Sequence, residues 1–241
     1  MLGRFMDAET AKRFAAIAAA ELMPDEGVIG LGTGSTTRYF INEIGRLVGE
    51  GRKLVGVPTS RRSHELATSL GIPLLDDIGP WTIDVCVDGA DEVSDELDLI
   101  KGGGGAHTRE KIVNRHSRQN VIIVDESKLS PRLGEKRGVP IEVVVFGHRA
   151  TATSLARFGD ATLRFAGDNP FVTDSGNYVY DLETGPIDDP VELEEELRHL
   201  PGVIETGLFC GRADIVIVAG PSGVELRHRD GRRESKSPIS S

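Results

Sequence analysis

The sequence predicts an α/β fold: a doubly wound parallel sheet into which a smaller α+β domain is inserted. Three observations predict it. Short, continuous apolar runs alternate with helical patterns over the first two-thirds of the chain, as in parallel strands buried on both faces. After Pro131 the rhythm changes to a β-α-β-β-α-β order, the order of a ferredoxin-like unit. A last apolar run, residues 213–220, then returns the chain to the first sheet. The expected domains are therefore a discontinuous main domain, 1–130 plus 206–229, a small domain, 131–205, and a tail, 230–241. The tail is polar, lacks periodicity and is expected to be disordered.

Each element follows from local pattern. Asp7 can cap a helix over 8–22, with Ala11, Phe14, Ala15, Ala18 and Leu22 at helical spacing. A strand at 28–32 runs through the loop TGST into a helix striped by Phe40, Ile44, Leu47 and Val48. Apolar runs at 53–57, 72–75, 83–87 and 121–124 read as strands, with helices near 61–70 and 106–118 between them. In the small domain, strands are expected from "IEVVVF", "ATLRFA", "FVTD", "YVYDLE" and "GVIETGLF", with helices at 149–158 and 190–200. Asp189 and Pro190 supply the N-cap and first position of the second helix, and Leu193, Leu197 and Leu200 its stripe.

Composition narrows the function. The 241 residues are 39% hydrophobic, enough for one large core or a main domain carrying a smaller one. Lys plus Arg total 28 against 38 Asp plus Glu, and the net charge of -10 argues against a nucleic-acid or acidic-membrane surface. An anionic ligand must then be met locally. Cys86 and Cys210 lie in apolar runs without CxxC spacing and read as reduced thiols of a cytoplasmic protein. Residues 1–7 hold no long apolar region, and no 18-residue apolar stretch occurs, so a soluble protein is expected.

Three motifs carry chemistry. "GLGTGSTT" (30–37) fails the dinucleotide fingerprint, because Ser35 stands where the last glycine is required and no acid ends the next strand. No GK[ST] follows, so a P-loop is excluded as well. What remains is a turn whose N–H groups, with the Ser35 and Thr36 hydroxyls, can bind a single phosphate, or an ordinary strand-to-helix turn with Ser35 as N-cap. In "KGGGGAHTREK" (101–111) four glycines forgo packing, as expected where backbone approaches a ligand, although a flexible surface loop also accounts for them. Lys101, Arg109 and Lys111 make the segment locally cationic, which suits a phosphorylated or enolate-forming substrate. In "VDGADEV", Asp88 and Asp91 leave the end of a buried strand, where open α/β sheets bind ligands. With Glu92 they can hold Mg²⁺, a reading the nearby cations oppose, or form a solvated acidic loop. No HExxH, paired histidine spacing or GxSxG occurs among the six histidines and the serines. His107 either lines the glycine segment or packs the helix start.

"GLGTGST", "VDGADE", "KGGGGAHTREK" and "VDESK", in this order and spacing, resemble the ribose-5-phosphate isomerases of type A, over about residues 7–227. The resemblance implies a Rossmann-like domain with a smaller α+β domain inserted, and it supplies roles. Glu110 becomes the base that moves a proton between adjacent sugar carbons, Asp88 and Asp91 serve the sugar hydroxyls and ring opening, and Lys101 steadies the negative oxygen. Thr33, Gly34, Ser35 and Thr36 match the phosphate-contacting TGST loop. Gly102, Gly103, Gly104 and Gly105 bring backbone to the substrate, and Lys12 and Lys128 match further phosphate or substrate contacts. His107 stands where the pattern has an apolar residue.

The implied reaction interconverts ribose 5-phosphate and ribulose 5-phosphate through an enediolate, in the non-oxidative pentose phosphate pathway. One carboxylate can both take and return the proton, and N–H donors or a cation must await the oxyanion. No step transfers a hydride or needs a metal, so no cofactor is expected. The partner is a small sugar phosphate, with no nucleic acid and no membrane, and the apolar strands of the inserted unit suggest a homodimer or homotetramer. A sugar-phosphate sensor is the alternative. It would need an output, for which no N-terminal segment long enough for a DNA-binding helix-turn-helix is expected, and it has no use for Glu110 beside Lys101.

Overall fold

A computed structural model of the chain describes residues 7–236. The chain runs α1 (Ala8–Ala20), β1 (Glu26–Leu31), α2 (Ser35–Gly49), β2 (Lys53–Pro58), α3 (Arg61–Ser69), β3 (Ile83–Asp88), β4 (Glu92–Val93), β5 (Leu99–Ile100), α4 (His107–Arg115) and β6 (Ser117–Asp125). It continues through β7 (Val139–Val143), α5 (His148–Leu155), β8 (Asp160–Leu163), β9 (Phe165–Ala166), β10 (Asn169–Pro170), β11 (Tyr178–Glu183) and α6 (Pro190–Arg198). It ends with β12 (Val203–Thr206), β13 (Leu208–Phe209), β14 (Ile215–Gly220), β15 (Gly223–His228) and β16 (Arg233–Lys236). Two compact units result: 1–89, 112–128 and 213–241 form the first, 90–111 and 129–212 the second.

The first unit is built on a seven-stranded sheet in the order β16-β15-β14-β6-β3-β1-β2. β14, β6, β3, β1 and β2 are parallel, and their central residues are buried on both faces, as their unbroken apolar runs require. Strand order reverses between β1 and β3, which makes the carboxyl ends of those two strands a topological switch point. α1 packs against the sheet and α2 through Ala11, Ala15, Ala16 and Ala19; such small side chains allow close approach of the backbones. Its expected cap is present, the Asp7 carboxylate accepting the Thr10 N–H at 2.8 Å.

Two local expectations for this unit are corrected. The run at 72–75 makes only a single bridge, Leu74 opposite Gly56, flanked by Gly56 N–H to Pro73 O at 2.8 Å and Leu75 N–H to Gly56 O at 3.0 Å. Pro73 has no N–H to extend a ladder. The part of the tail up to Lys236 is also ordered. A turn at Gly231 (φ +88°) sends β16 back antiparallel to β15, which is itself antiparallel to β14, so that a charged edge extends the parallel part of the sheet. Residues 1–6 and 237–241, where the reading of the amino terminus and the rest of the disordered-tail expectation fall, lie outside the described residues.

The second unit holds a four-stranded antiparallel sheet, β12-β7-β11-β8, carrying α5 and α6, in the ferredoxin-like order that the pattern predicted. Its core includes Val139, Ile141, Val143, Leu155, Leu182 and Leu197, all buried. Asp189 caps α6 by accepting from Val191 N–H at 3.1 Å and Glu192 N–H at 2.9 Å, with Pro190 following. "FVTD" is not a strand; Val172 alone bridges to Tyr178. A small sheet, β13-β5-β4, was not anticipated. β5 pairs antiparallel with β13, Leu208 opposite Ile100. That pairing of a segment near 100 with one near 208 puts 90–111 and 206–212 in this unit, where the sequence-based boundaries had them in the main domain.

Candidate active site

In the first unit, the TGST loop leaves β1 at the switch point. Gly32 N–H donates to Val87 O at 3.0 Å, and a Cβ added to Gly32 would lie 2.2 Å from Asp88 Oδ1, so only glycine lets the loop pass this carboxylate. Asp88 is buried at the end of β3 and accepts from Thr33 N–H at 3.1 Å and Gly89 N–H at 2.7 Å. Gly34, at φ +136°, is the N-cap of α2 and gives it no side-chain cap. Ser35 is thus the first helical residue and not the N-cap. The first-turn amides of α2 meet no capping side chain beside the Ser35 and Thr36 hydroxyls, a local arrangement suited to an anion. Lys12 pairs with Glu9 at 2.7 Å, and Glu9 also accepts from Tyr39 Oη at 2.5 Å. Lys128 ends the 3-10 turn that follows β6, at the same carboxyl edge of the sheet as Asp88.

Sequence reasoning missed the hydroxyl cluster beneath this loop. Thr33 Oγ1 shares a hydrogen bond with Thr59 Oγ1 at 2.8 Å and donates to Ser60 Oγ at 2.8 Å. Ser63 Oγ donates to Gly32 O at 2.7 Å, and Thr59 Oγ1 to Leu31 O at 3.1 Å. Thr59, Ser60 and Ser63 are buried, so these bonds replace water and fix the loop backbone. The signal was the polar run "TSRRS" directly after an apolar strand.

In the second unit, Lys101 and Glu110 are both buried and their Nζ and Oε2 lie 3.2 Å apart. Lys101 N–H is fixed by Gly207 O at 2.8 Å, and its ammonium sits 5.5 Å from the centre of the Phe209 ring. The glycines between them have separate duties. Gly102 (φ +104°) leaves no room for a Cβ, which would meet His107 Nδ1 at 2.6 Å. Gly103 N–H donates to Asp91 Oδ2 at 2.7 Å. Gly105 (φ +73°) closes the turn by donating to Gly102 O at 2.9 Å. Gly103 and Gly104 remain exposed at the crest. This is a rigid turn, and the flexible-loop reading is set aside.

The first turns of α4 are locked residue by residue. Thr108 Oγ1 donates to Glu142 Oε2 at 2.5 Å, and the buried Glu142 also accepts from Thr173 and Asn177, each at 2.8 Å. Arg109 donates to Asp174 O at 3.2 Å. Lys111 lies between Glu194 at 2.8 Å and Glu205 at 2.9 Å. Lys111 is therefore neutralised internally, and of the cations read from this segment Lys101 is the one beside Glu110. Glu92, fully buried, accepts the N–H groups of Gly134, Lys136 and Arg137, each at 3.1 Å. Its carboxylate anchors that loop, which removes it from the ligand set considered with Asp88 and Asp91.

His107 is fully buried against Gly102, and burial first, then Lys111, Arg164 and Lys101, pull its pKa down to about 3. It packs the turn as a neutral ring. The unfolded chain takes a proton on this histidine below about pH 6.5, the folded chain only near pH 3, so the stability it contributes is present above that window and lost as pH falls through it. The expected slope is about 1.4 kcal/mol per pH unit within the window. His107→Leu is expected to lose that share of the slope in urea unfolding between pH 6.5 and pH 4.5. An unchanged difference between the two pH values would refute it. Cys86 is buried and Cys210 half-buried, neither forms a disulfide, and burial raises the Cys210 thiol pKa.

Residues 55–223 match the profile of the family described as ribose 5-phosphate isomerase A (phosphoriboisomerase A). The chain is 46% identical to ribose-5-phosphate isomerase A of Thermococcus kodakarensis, across 93% of this chain and 100% of that one. It is 48% identical to the Chloroflexus aurantiacus protein of the same name, across 90% and 92%. Among solved structures, a D-ribose-5-phosphate isomerase in complex with phospho-erythronic acid is 44% identical at a TM-score of 0.90, covering 92% of this chain and 100% of the other. Ribose 5-phosphate isomerase A from Methanocaldococcus jannaschii is 41% identical at a TM-score of 0.87, covering 91% and 99%.

Proposed function

The chain belongs to the ribose 5-phosphate isomerase A family and is an aldose–ketose isomerase of the pentose phosphate pathway; on that premise we propose how its residues divide the work. Glu110 takes the proton from one sugar carbon and returns it to the next, through an enediolate. The single observation that carries this reading is the buried Lys101–Glu110 pair at 3.2 Å beside the glycine turn, an acid–base group with a cation next to it for the developing oxyanion. Asp88 and Asp91 act on the sugar hydroxyls and in ring opening. The Asp91 carboxylate is already oriented by Gly103 N–H, and Asp88 by two backbone amides. The glycine turn brings its backbone to the oxyanion, with the N–H of the exposed Gly104 as the donor, since the N–H groups of Gly103 and Gly105 are taken by Asp91 and Gly102.

Thr33, Gly34, Ser35 and Thr36 hold the phosphate, with Lys12 and Lys128 as further contacts. The uncapped start of α2 supports this. So does the phosphorylated acid bound by the 44% identical structure. Phosphate binding fixes the reacting carbons without taking part in the chemistry. Thr36→Ala is expected to raise KM for ribose 5-phosphate by about tenfold, one lost charge-assisted hydrogen bond, with kcat little changed. Equal damage toward unphosphorylated ribose would contradict the assignment.

The test of the whole reading is to mix the protein with ribose 5-phosphate in heavy water, with a chelator and no added cofactor, and follow ribulose 5-phosphate. Ketose carrying deuterium at the exchanged carbon is expected. Product that forms only after Mg²⁺ is restored would favour a metal mechanism.

The protein further works in the cytoplasm, as a homodimer or homotetramer. No helix among the described residues is long and apolar enough to cross a membrane, and neither cysteine forms a disulfide. Phe146, 93% exposed, and its neighbour Val145 present an apolar corner on the second unit that a further copy would cover. Light scattering giving the mass of a single chain would exclude the oligomer.

A further inference from the structure

We propose that Arg164 is a positioning residue of the reaction, holding the glycine turn so that the Asp91 carboxylate and the Gly104 N–H stay aimed; the inference rests on the roles proposed above for Asp91 and the glycine backbone. Arg164 follows β8 and belongs to no sequence motif. Its Nε donates to Asp181 Oδ2 at 2.9 Å and its Nη2 to Asp181 Oδ1, a two-pronged grip that fixes the guanidinium plane. The remaining Nη1 donates to Gly102 O at 2.8 Å and to Gly103 O at 3.2 Å.

The consequence follows from peptide planarity. In a trans peptide the carbonyl and the N–H point in opposite directions. The Gly102–Gly103 peptide is therefore held at both ends, its carbonyl by Arg164 and its N–H by Asp91 Oδ2 at 2.7 Å. In the next peptide Arg164 holds the Gly103 carbonyl, which turns the N–H of the exposed residue Gly104 away from the guanidinium. Four glycines have no side chains with which to hold such an arrangement, and an oxyanion donor stabilises charge best when it need not reorient during the reaction. Phe171 completes the support. Its ring lies 5.7 Å from the guanidinium carbon and fills the space a Cβ on Gly105 would need, 2.3 Å from Cε1. A lysine could not replace Arg164, since an ammonium cannot span a carboxylate and two carbonyls in one plane.

If Arg164 only tied two surface strands, its loss would touch stability slightly and turnover not at all. As a positioning residue, its replacement with alanine is expected to lower kcat about 10- to 100-fold, the cost of a small misplacement at the reacting atoms, with KM within about threefold. The adjoining cleft of about 360 Å³, lined by Asp91, Gly103, Arg164 and Asp181, gives a small cation access. Millimolar guanidinium is therefore expected to restore part of kcat to Arg164→Ala while leaving the parent protein unchanged, and Arg164→Lys is expected to stay impaired. A folded Arg164→Ala with kcat within twofold of the parent, a loss confined to KM, or no recovery with guanidinium would overturn the proposal. If that variant does not fold, Asp181→Asn is decisive: a lowered kcat at constant KM supports the proposal and an unchanged kcat overturns it. Glu110→Gln assayed alongside separates the two layers, because an active Glu110→Gln refutes the base itself, whereas an inactive one beside a fully active Arg164→Ala refutes only the positioning.

Discussion

Replacing Glu110 with glutamine is expected to lower kcat by about 10²-fold or more, the contribution of a positioned general base, while leaving the fold and KM nearly intact. Glutamine has the shape of glutamate and still offers Lys101 a carbonyl oxygen across the 3.2 Å contact, but it cannot take a proton from carbon. Since the same carboxylate is proposed to remove and return the proton, deuterium incorporation from heavy water should fall with turnover, and not only the net formation of ketose. Thermal unfolding provides the control, because Glu110 is buried and a changed melting profile would point to lost packing. Turnover close to that of the parent protein would remove Glu110 from its role.

Lys101→Met has the second largest expected effect, and a more mixed one. Loss of one preorganised donor to an oxyanion costs about 3–4 kcal/mol in the transition state, or about 10²- to 10³-fold in kcat. The substitution also takes the cation from beside a buried carboxylate, and breaking such a pair typically costs about 3–5 kcal/mol of stability. The two effects are separated by the double variant Lys101→Met with Glu110→Gln. It should regain part of the stability, because the buried charge goes with its cation, and should be little slower than Glu110→Gln alone, because groups acting in one step do not add. Strict multiplication of the two kinetic losses would mean that Lys101 and Glu110 serve separate steps.

The repeating parts of the fold were legible because they are local. Asp7 and Asp189 cap the helices their positions announced, and β1, β2, β3, β6 and β14 coincide with unbroken apolar runs. The residues proposed as acid and base were legible for another reason: glycines and ionisable groups crowd one short stretch where neither packing nor solubility asks for them. What stayed hidden was pairing at a distance. β4, β5 and β13 are two residues each, too short for any periodicity, and exist because Ile100 finds Leu208. β16 is a charged segment made into a strand by the edge it lies against.

The same holds for the supporting cast. Nothing in "ATLRFA" marks Arg164 as the residue that grips Gly102 and Gly103, and nothing in "EVVVF" shows that Glu142 will bind Thr108, Thr173 and Asn177 together. Lys111 adds to the local positive charge of its segment in the sequence, yet Glu194 and Glu205, more than eighty residues later in the chain, close around it. By itself the sequence determined the order of the longer strands and helices, the glycine turns and the choice of side chains proposed to react, since these rest on backbone freedom, helical or strand period and intrinsic acidity. Only the tertiary structure decided which charges cancel and which carbonyls are held. The energy of a buried polar group depends on what lies within about 3 Å of it, and those neighbours come from remote parts of the chain.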